Sequence, residues 1–125
     1  MGNPEYKSTL VVKVTVGFES PEKLSQAFTV ASVAAASGFA VSLWLTGEAT
    51  TIALPGRAEQ FSLEGAKPLS EMLEVIRSAG QISVCSQCAA RRSITEDQLI
   101  AGATIRGASS FVEEIMQVGS ESLVY

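Results

Sequence analysis

The sequence contains no histidine and only two cysteines. The first absence removes Ser–His–Asp and Cys–His catalysis, histidine zinc ligands and a histidine general base together. The second excludes a disulfide-rich secreted scaffold, because Cys85 and Cys88 make one Cys-x-x-Cys and nothing more. A single thiol pair fits a reducing compartment. Basic residues are also in the minority, 9 Lys and Arg against 13 Asp and Glu for a net charge of −4. Such a molecule repels the phosphate backbone that dominates nucleic-acid affinity, so no direct nucleic-acid partner is expected. Phosphate-binding glycine motifs are missing too. The turn Gly17-Phe18-Glu19-Ser20-Pro21 has one glycine and matches neither Gly-x-x-x-x-Gly-Lys nor Gly-x-Gly-x-x-Gly.

Export and membrane signals are equally thin. Met1 to Lys7 offers neither a basic start nor an apolar run, and the expected location is the cytoplasm. From Leu24 to Gly47 there is no charged residue, a length sufficient to span a bilayer. Ser25, Thr29, Ser32, Ser37, Ser42 and Thr46 interrupt it, however, and many of the remaining residues are alanine. A buried helix followed by a buried strand is the better reading, and no membrane partner is expected.

What is present suffices for one folded domain spanning residues 1–125. Hydrophobic residues are 46% of the 125 and charged residues 18%, enough for a core and too little charge for disorder. Thr9 to Val16 is β-branched and reads as a strand buried on both faces. Ser20-Pro21 opens a helix, serine as the capping residue and proline at the first turn, with Leu24, Ala27, Phe28, Ala31 and Ala34 at helical spacing. Gly38 closes it, and Phe39 to Leu45 is a second strand, so a parallel strand–helix–strand unit is expected. Between Gly47 and Pro68 only a loop or short irregular helix can be placed. Leu69, Met72, Leu73 and Ile76 mark a helix up to Gly80, and Gln81 to Val84 a third strand ending at Cys85. Thr95-Glu96-Asp97-Gln98 has capping-box spacing ahead of a short helix. Ala103 to Arg106 reads as a strand, Phe111 to Val118 as a last helix closed by Gly119, and Ser122 to Tyr125 as a final strand. The sum is an α/β protein: one three-layer α/β/α domain with a mostly parallel sheet of about five strands.

The chemistry centres on Cys85. It falls at the carboxyl end of a central strand, where open α/β sheets collect ligands and reactive groups. If the chain then turns helical, Cys85, Cys88 and Arg92 share one face, with Arg91 beside Cys88. A helix start and two arginines favour thiolate over thiol, and thiolate is the nucleophile toward sulfur. The competing reading makes both cysteines apolar core filler and both arginines a solvated surface. Zinc would need two further ligands that the sequence supplies only as carboxylates, and no metal or cofactor is expected. Glu71, Glu74, Glu113 and Glu114 lie on the polar sides of expected helices and read as solvated. Trp44, inside an apolar strand, reads as core.

The block Ile82-Ser83-Val84-Cys85-Ser86-Gln87-Cys88-Ala89-Ala90-Arg91-Arg92-Ser93-Ile94, followed by Gly102-Ala103-Thr104-Ile105-Arg106-Gly107, resembles the DsrE/TusD-like (DsrEFH) family of small sulfur-relay proteins. A cysteine followed six and seven residues later by two arginines is similar to the active-cysteine segment of TusD-type sulfurtransferases. The resemblance implies a three-layer α/β/α fold, a homo-oligomer (trimer or hexamer), and sulfur relay between a donor and an acceptor protein. Cys85 would carry the persulfide, and Arg91 and Arg92 would stabilise its anion. Two positions depart from the family pattern: Ser93 stands where glycine is usual, and Cys88 is an additional thiol. Cys88 opens an alternative, a Cys-x-x-Cys redox protein or sensor working through a Cys85–Cys88 disulfide. Another is a non-catalytic oligomeric interaction or ligand-binding module of the same fold.

Overall fold

A computed structural model of the chain describes residues 6–125. The opening segment on which the export expectation rests falls largely on residues 1–5, outside this range. Five strands form one sheet: β1 (Thr9–Val14), β2 (Ala40–Leu45), β3 (Gln81–Cys85), β4 (Ala103–Arg106) and β5 (Ser120–Val124). Their spatial order is β4-β3-β2-β1-β5, and every neighbouring pair is parallel. Parallel neighbours need crossover connections, and four helices supply them: α1 (Pro21–Ala36), α2 (Leu69–Ala79), α3 (Ser86–Arg91) and α4 (Ala108–Ile115).

Alternation along the strands separates the two faces of the sheet. Val12, Val14, Val41, Leu43, Leu45, Ile82 and Val84 point one way and meet Leu24, Phe28, Leu69, Met72 and Ile76 of α1 and α2 in the main core. Val11, Ser42, Trp44 and Ser83 occupy the opposite face, where α4 lies with Phe111 edge-on to Trp44 at 5.3 Å. Trp44 is 2% exposed and belongs to the interior, as its apolar setting predicts. The uncharged stretch from residue 24 to 47 divides into α1, a left-handed turn at Gly38 and β2. No helix among the described residues is long and apolar enough to cross a membrane.

The segment hardest to read from sequence folds into two 3₁₀ turns, Gly47–Ala53 and Ala58–Gln60. Ala49, Ile52, Ala53, Ala58 and Phe61 from this segment are buried in the main core. The Ile100 N–H donates to Ala53 O at 2.8 Å and ties the segment to the β4 approach. It is therefore part of the fold.

Several local expectations need correction. Ser20 does not cap α1 with its side chain; its carbonyl instead accepts the Leu24 N–H at 3.0 Å. β1 stops at Val14, because Thr15 turns its N–H and hydroxyl to the Tyr125 carbonyl. The short helix after Thr95 is a single 3₁₀ turn, Glu96–Gln98, with the Thr95 N–H donating to Gln98 Oε1 at 2.9 Å. α4 begins at Ala108, and β5 begins at Ser120 directly after Gly119, whose φ of +88° makes the turn.

Glu114 departs furthest from expectation. It is no solvated carboxylate: it accepts hydrogen bonds from Ser42 Oγ at 2.6 Å and Trp44 Nε1 at 3.1 Å and pairs with Arg106 at 2.5 Å. Arg106 also donates to Ser83 Oγ at 2.9 Å, and its guanidinium lies 5.0 Å from the Trp44 ring centre. This network, reaching across β2, β3 and β4, pins α4 to the sheet.

The two edges of the sheet differ. Along β4 the outward N–H groups of Ala103 and Ile105 are taken by Ile100 O and by the Glu96 carboxylate, the latter at 2.7 Å. Residues 121–124 of β5 are exposed.

Candidate functional site

The carboxyl ends of β1, β2 and β3 lie side by side, so the loops that follow them converge. β3 ends at Cys85, which caps the first turn of α3 and is half-buried. Cys88, three residues on, is buried at 9% exposure. Both thiols are free. The β2 loop reaches them from the side: the Gly47 N–H donates to Cys88 Sγ at 3.2 Å. Gly47 holds φ at +53°, and a Cβ there would sit 2.7 Å from the Thr15 carbonyl oxygen. Glycine is thus required by both the left-handed backbone and the close approach of the β1 loop.

Glu48, the next residue, accepts from Arg92 at 2.6 Å, while Arg92 also donates to Cys88 O at 3.1 Å. Arg92 therefore links the β2 loop to the end of α3. Arg91 is exposed and stands further out on the same segment. α3 stops at Arg91, so the helical face drawn through Arg92 reaches its limit at that residue; the guanidinium still acts on both thiols electrostatically. Beyond it the Ile94 N–H returns to Ala89 O at 2.9 Å and the Ser93 N–H to Ala90 O at 3.1 Å. This pair of bonds closes a helix through a left-handed residue, and Ser93 adopts φ of 54°.

Burial pushes the Cys88 thiol upward in pKa, but the Gly47 N–H, the Cys85 thiol and the charges of Arg92 and Arg91 outweigh it, and the net shift is downward. Each of those groups favours the anion. A buried Cys88 with a lowered pKa, three residues from a more accessible Cys85, can serve as a proton acceptor for it. Among the described residues no group of three or more His, Cys, Asp or Glu side chains forms a metal-holding cluster.

The structure thus brings Cys85, Cys88 and Arg92 together and leaves Arg91 at the periphery. Gly47 and Glu48 were not legible as site residues. The signal available for them is topological: Gly47 follows the strand that neighbours β3, and parallel neighbours end at the same edge.

The sequence pattern of the DsrE/DsrF-like family matches residues 9–120, from the start of β1 to the start of β5. The chain belongs to this family. Two solved structures show the same fold. The YchN protein from E. coli is 20% identical with a TM-score of 0.66, over 95% of this chain and 99% of that one. The protein MTH1491 from Methanobacterium thermoautotrophicum, described as of unknown function, is 14% identical with a TM-score of 0.60, over 94% of this chain and 98% of that one. No curated protein matches the sequence. This DsrE/DsrF-like domain therefore has its fold in common with these two structures, and its function has to be argued from the thiol pair.

Proposed function

We propose that this protein is a sulfur carrier of sulfurtransferase type, holding a persulfide on Cys85 and passing the sulfur to an acceptor thiol. Membership of the DsrE/DsrF-like family suggests a sulfur-relay role at the coarse level. The observation that carries the finer reading is the thiol pair itself: a half-buried Cys85 at the start of α3 and, three residues on, a buried Cys88 that accepts the Gly47 N–H at 3.2 Å and whose pKa is lowered. In the uptake step Cys85 sulfur attacks the outer sulfur of a donor persulfide. Its proton passes to Cys88, the S–S bond of the donor breaks, and the donor leaves as thiolate. Transfer onward repeats the exchange with an acceptor thiolate attacking the outer sulfur on Cys85.

Two features support assembly with further copies of the chain and work in a reducing compartment such as the cytoplasm. Val112 and Met116 on or beside α4, with Val124 on β5, are 52%, 75% and 64% exposed, on the side of the molecule where a single short helix covers the sheet. Both cysteines are unpaired. Donor and acceptor are proposed to be proteins that present a thiol or persulfide to the carboxyl end of the sheet.

Intact-mass and peptide mass spectrometry after exposure to a persulfide donor tests the reading. The expected result is one added sulfur atom on Cys85 in Cys88→Ser, where no second thiol can remove it, and none in Cys85→Ser. No added sulfur on Cys85 in Cys88→Ser would refute it.

A further inference from the structure

Cys88 is more than a base in this site, and the inference rests on the carrier reading of Cys85. We propose that Cys88 is a resolving thiol, which ends the cycle by attacking the Cys85 persulfide and expelling sulfide. The protein would then be a thiol-driven sulfide-releasing catalyst as well as a carrier.

Three observations carry this. First, Cys85 stands at the start of α3 and Cys88 three residues on, so the two side chains share the first turn of that helix. Residues three apart in a helical turn have Cβ atoms about 5–6 Å apart, about 1–2 Å more than a disulfide needs, so a shift of the backbone at Cys85, the first residue before α3, closes the bond. Second, Cys88 is 9% exposed, so an external persulfide cannot easily reach it, whereas a sulfur carried on Cys85 is brought to it by the chain. Third, the Gly47 N–H at 3.2 Å and the Arg92 side chain, itself fixed by Glu48, hold Cys88 in place and favour its anion. A thiol that only filled the core would have no need of a backbone donor from a loop 41 positions away.

The step balances. Cys88 returns to the outer sulfur the proton it took from Cys85 and, as thiolate, attacks the inner sulfur, the Sγ of Cys85; the bond from that sulfur to the outer sulfur breaks, and the protonated outer sulfur leaves with the electron pair as hydrosulfide. The products are the Cys85–Cys88 disulfide and one HS⁻. Two low-molecular-weight thiols then reduce the disulfide by successive exchange and leave as their own disulfide. The two electrons that convert sulfane sulfur to sulfide thus come from external thiol. Formation of the disulfide also leaves the Gly47 N–H facing a neutral sulfur at Cys88.

Glutathione persulfide is the probe. The protein, Cys85→Ser, Cys88→Ser and Cys88→Ala are treated without added reductant, and released sulfide and non-reduced mass are followed together. The expected result is one equivalent of sulfide above the Cys85→Ser background, with the protein two hydrogens lighter and carrying no stable persulfide. Both Cys88 variants should keep the added sulfur on Cys85 and release sulfide at background level. With excess glutathione, sulfide production should continue for many turnovers in the unmodified protein and fall at least tenfold in the variants. A stable Cys85 persulfide beside a free Cys88 in the unmodified protein overturns the inference and leaves the carrier standing. Persulfide found on Cys88 in Cys85→Ser overturns the assignment of roles. Failure of both Cys88 variants to take up sulfur overturns the carrier reading, and the resolving role with it.

Discussion

Replacing Glu114 with alanine should strand three partners at once. Ser42 loses an acceptor at 2.6 Å, the Trp44 indole N–H one at 3.1 Å, and Arg106 its ion-pair partner. Ser42 and Trp44 are 5% and 2% exposed, so water cannot replace the lost oxygen without entering the interior. A buried donor left unsatisfied costs about 1–3 kcal/mol. Taking the low end for each of the two neutral donors, and leaving out Arg106 because its side chain is 24% exposed and keeps Ser83, gives about 2 kcal/mol in all. That is an appreciable part of the stability of roughly 5–15 kcal/mol typical of a domain this size. Glu114→Gln keeps an oxygen for Ser42 and Trp44 and loses the charge, for about 1 kcal/mol. The acid limb should report the same group. Burial raises the Glu114 carboxyl, the hydrogen bonds from Ser42, Trp44 and Arg106 lower it further, and the net shift is down. A depressed folded-state pKa contributes stability that is complete above the unfolded-state value near 4.3 and is lost as pH falls through the folded value. The acid-side decline should therefore be shallower in Glu114→Gln than in the unmodified protein. Urea unfolding followed by the fluorescence of Trp44, the single tryptophan, measures both effects at fixed protein concentration. A cost below about 0.5 kcal/mol for Glu114→Ala, or equal costs for Ala and Gln, would refute the reasoning.

Two glycine-related substitutions test the site from opposite directions. Gly47→Ala places a Cβ 2.7 Å from the Thr15 carbonyl in a left-handed backbone, and should cost at least about 2 kcal/mol. By displacing the N–H from Cys88 it should also move the pH midpoint of Cys88 alkylation upward, measured by peptide-resolved labelling across a pH series. Ser93→Gly should stabilise the protein by about 0.5–1 kcal/mol, since φ of 54° is strained for serine and free for glycine. A loss of stability in a thermal scan of Ser93→Gly would refute that account of α3's end.

Much of this architecture could be read from residue order. β1, β2 and β3 are short β-branched or apolar runs next to helices with clear 3.6-residue stripes, and that pairing fixes a parallel sheet before any coordinates are known. Residues 47–68 resisted because 3₁₀ turns follow neither period; Ile52 and Phe61 reach the core from irregular backbone. Glu114 misled for another reason. Beside Glu113 on a polar-looking helix it has every local mark of solvation, and its partner Ser42 is 72 positions distant. The site divides the same way. Cys85, Cys88 and Arg92 lie within one turn-and-helix segment and share a local signature, whereas Gly47 meets Cys88 only because two strands end at the same height. Ser93 carries a constraint of its own, as the left-handed residue that closes α3.

The unequal edges of the sheet bear on how copies of this chain can polymerise. An open strand edge is a template that recruits another strand, and a sheet open on both sides can grow without limit. Here both outward amides of β4 are engaged, by Ile100 O and by the Glu96 carboxylate at 2.7 Å, whereas on β5 the Ser122 N–H is met by Glu121 Oε1 at 3.3 Å. Strand addition is therefore favoured on the β5 side, and the Glu96 carboxylate works against growth of a fibre from the β4 side.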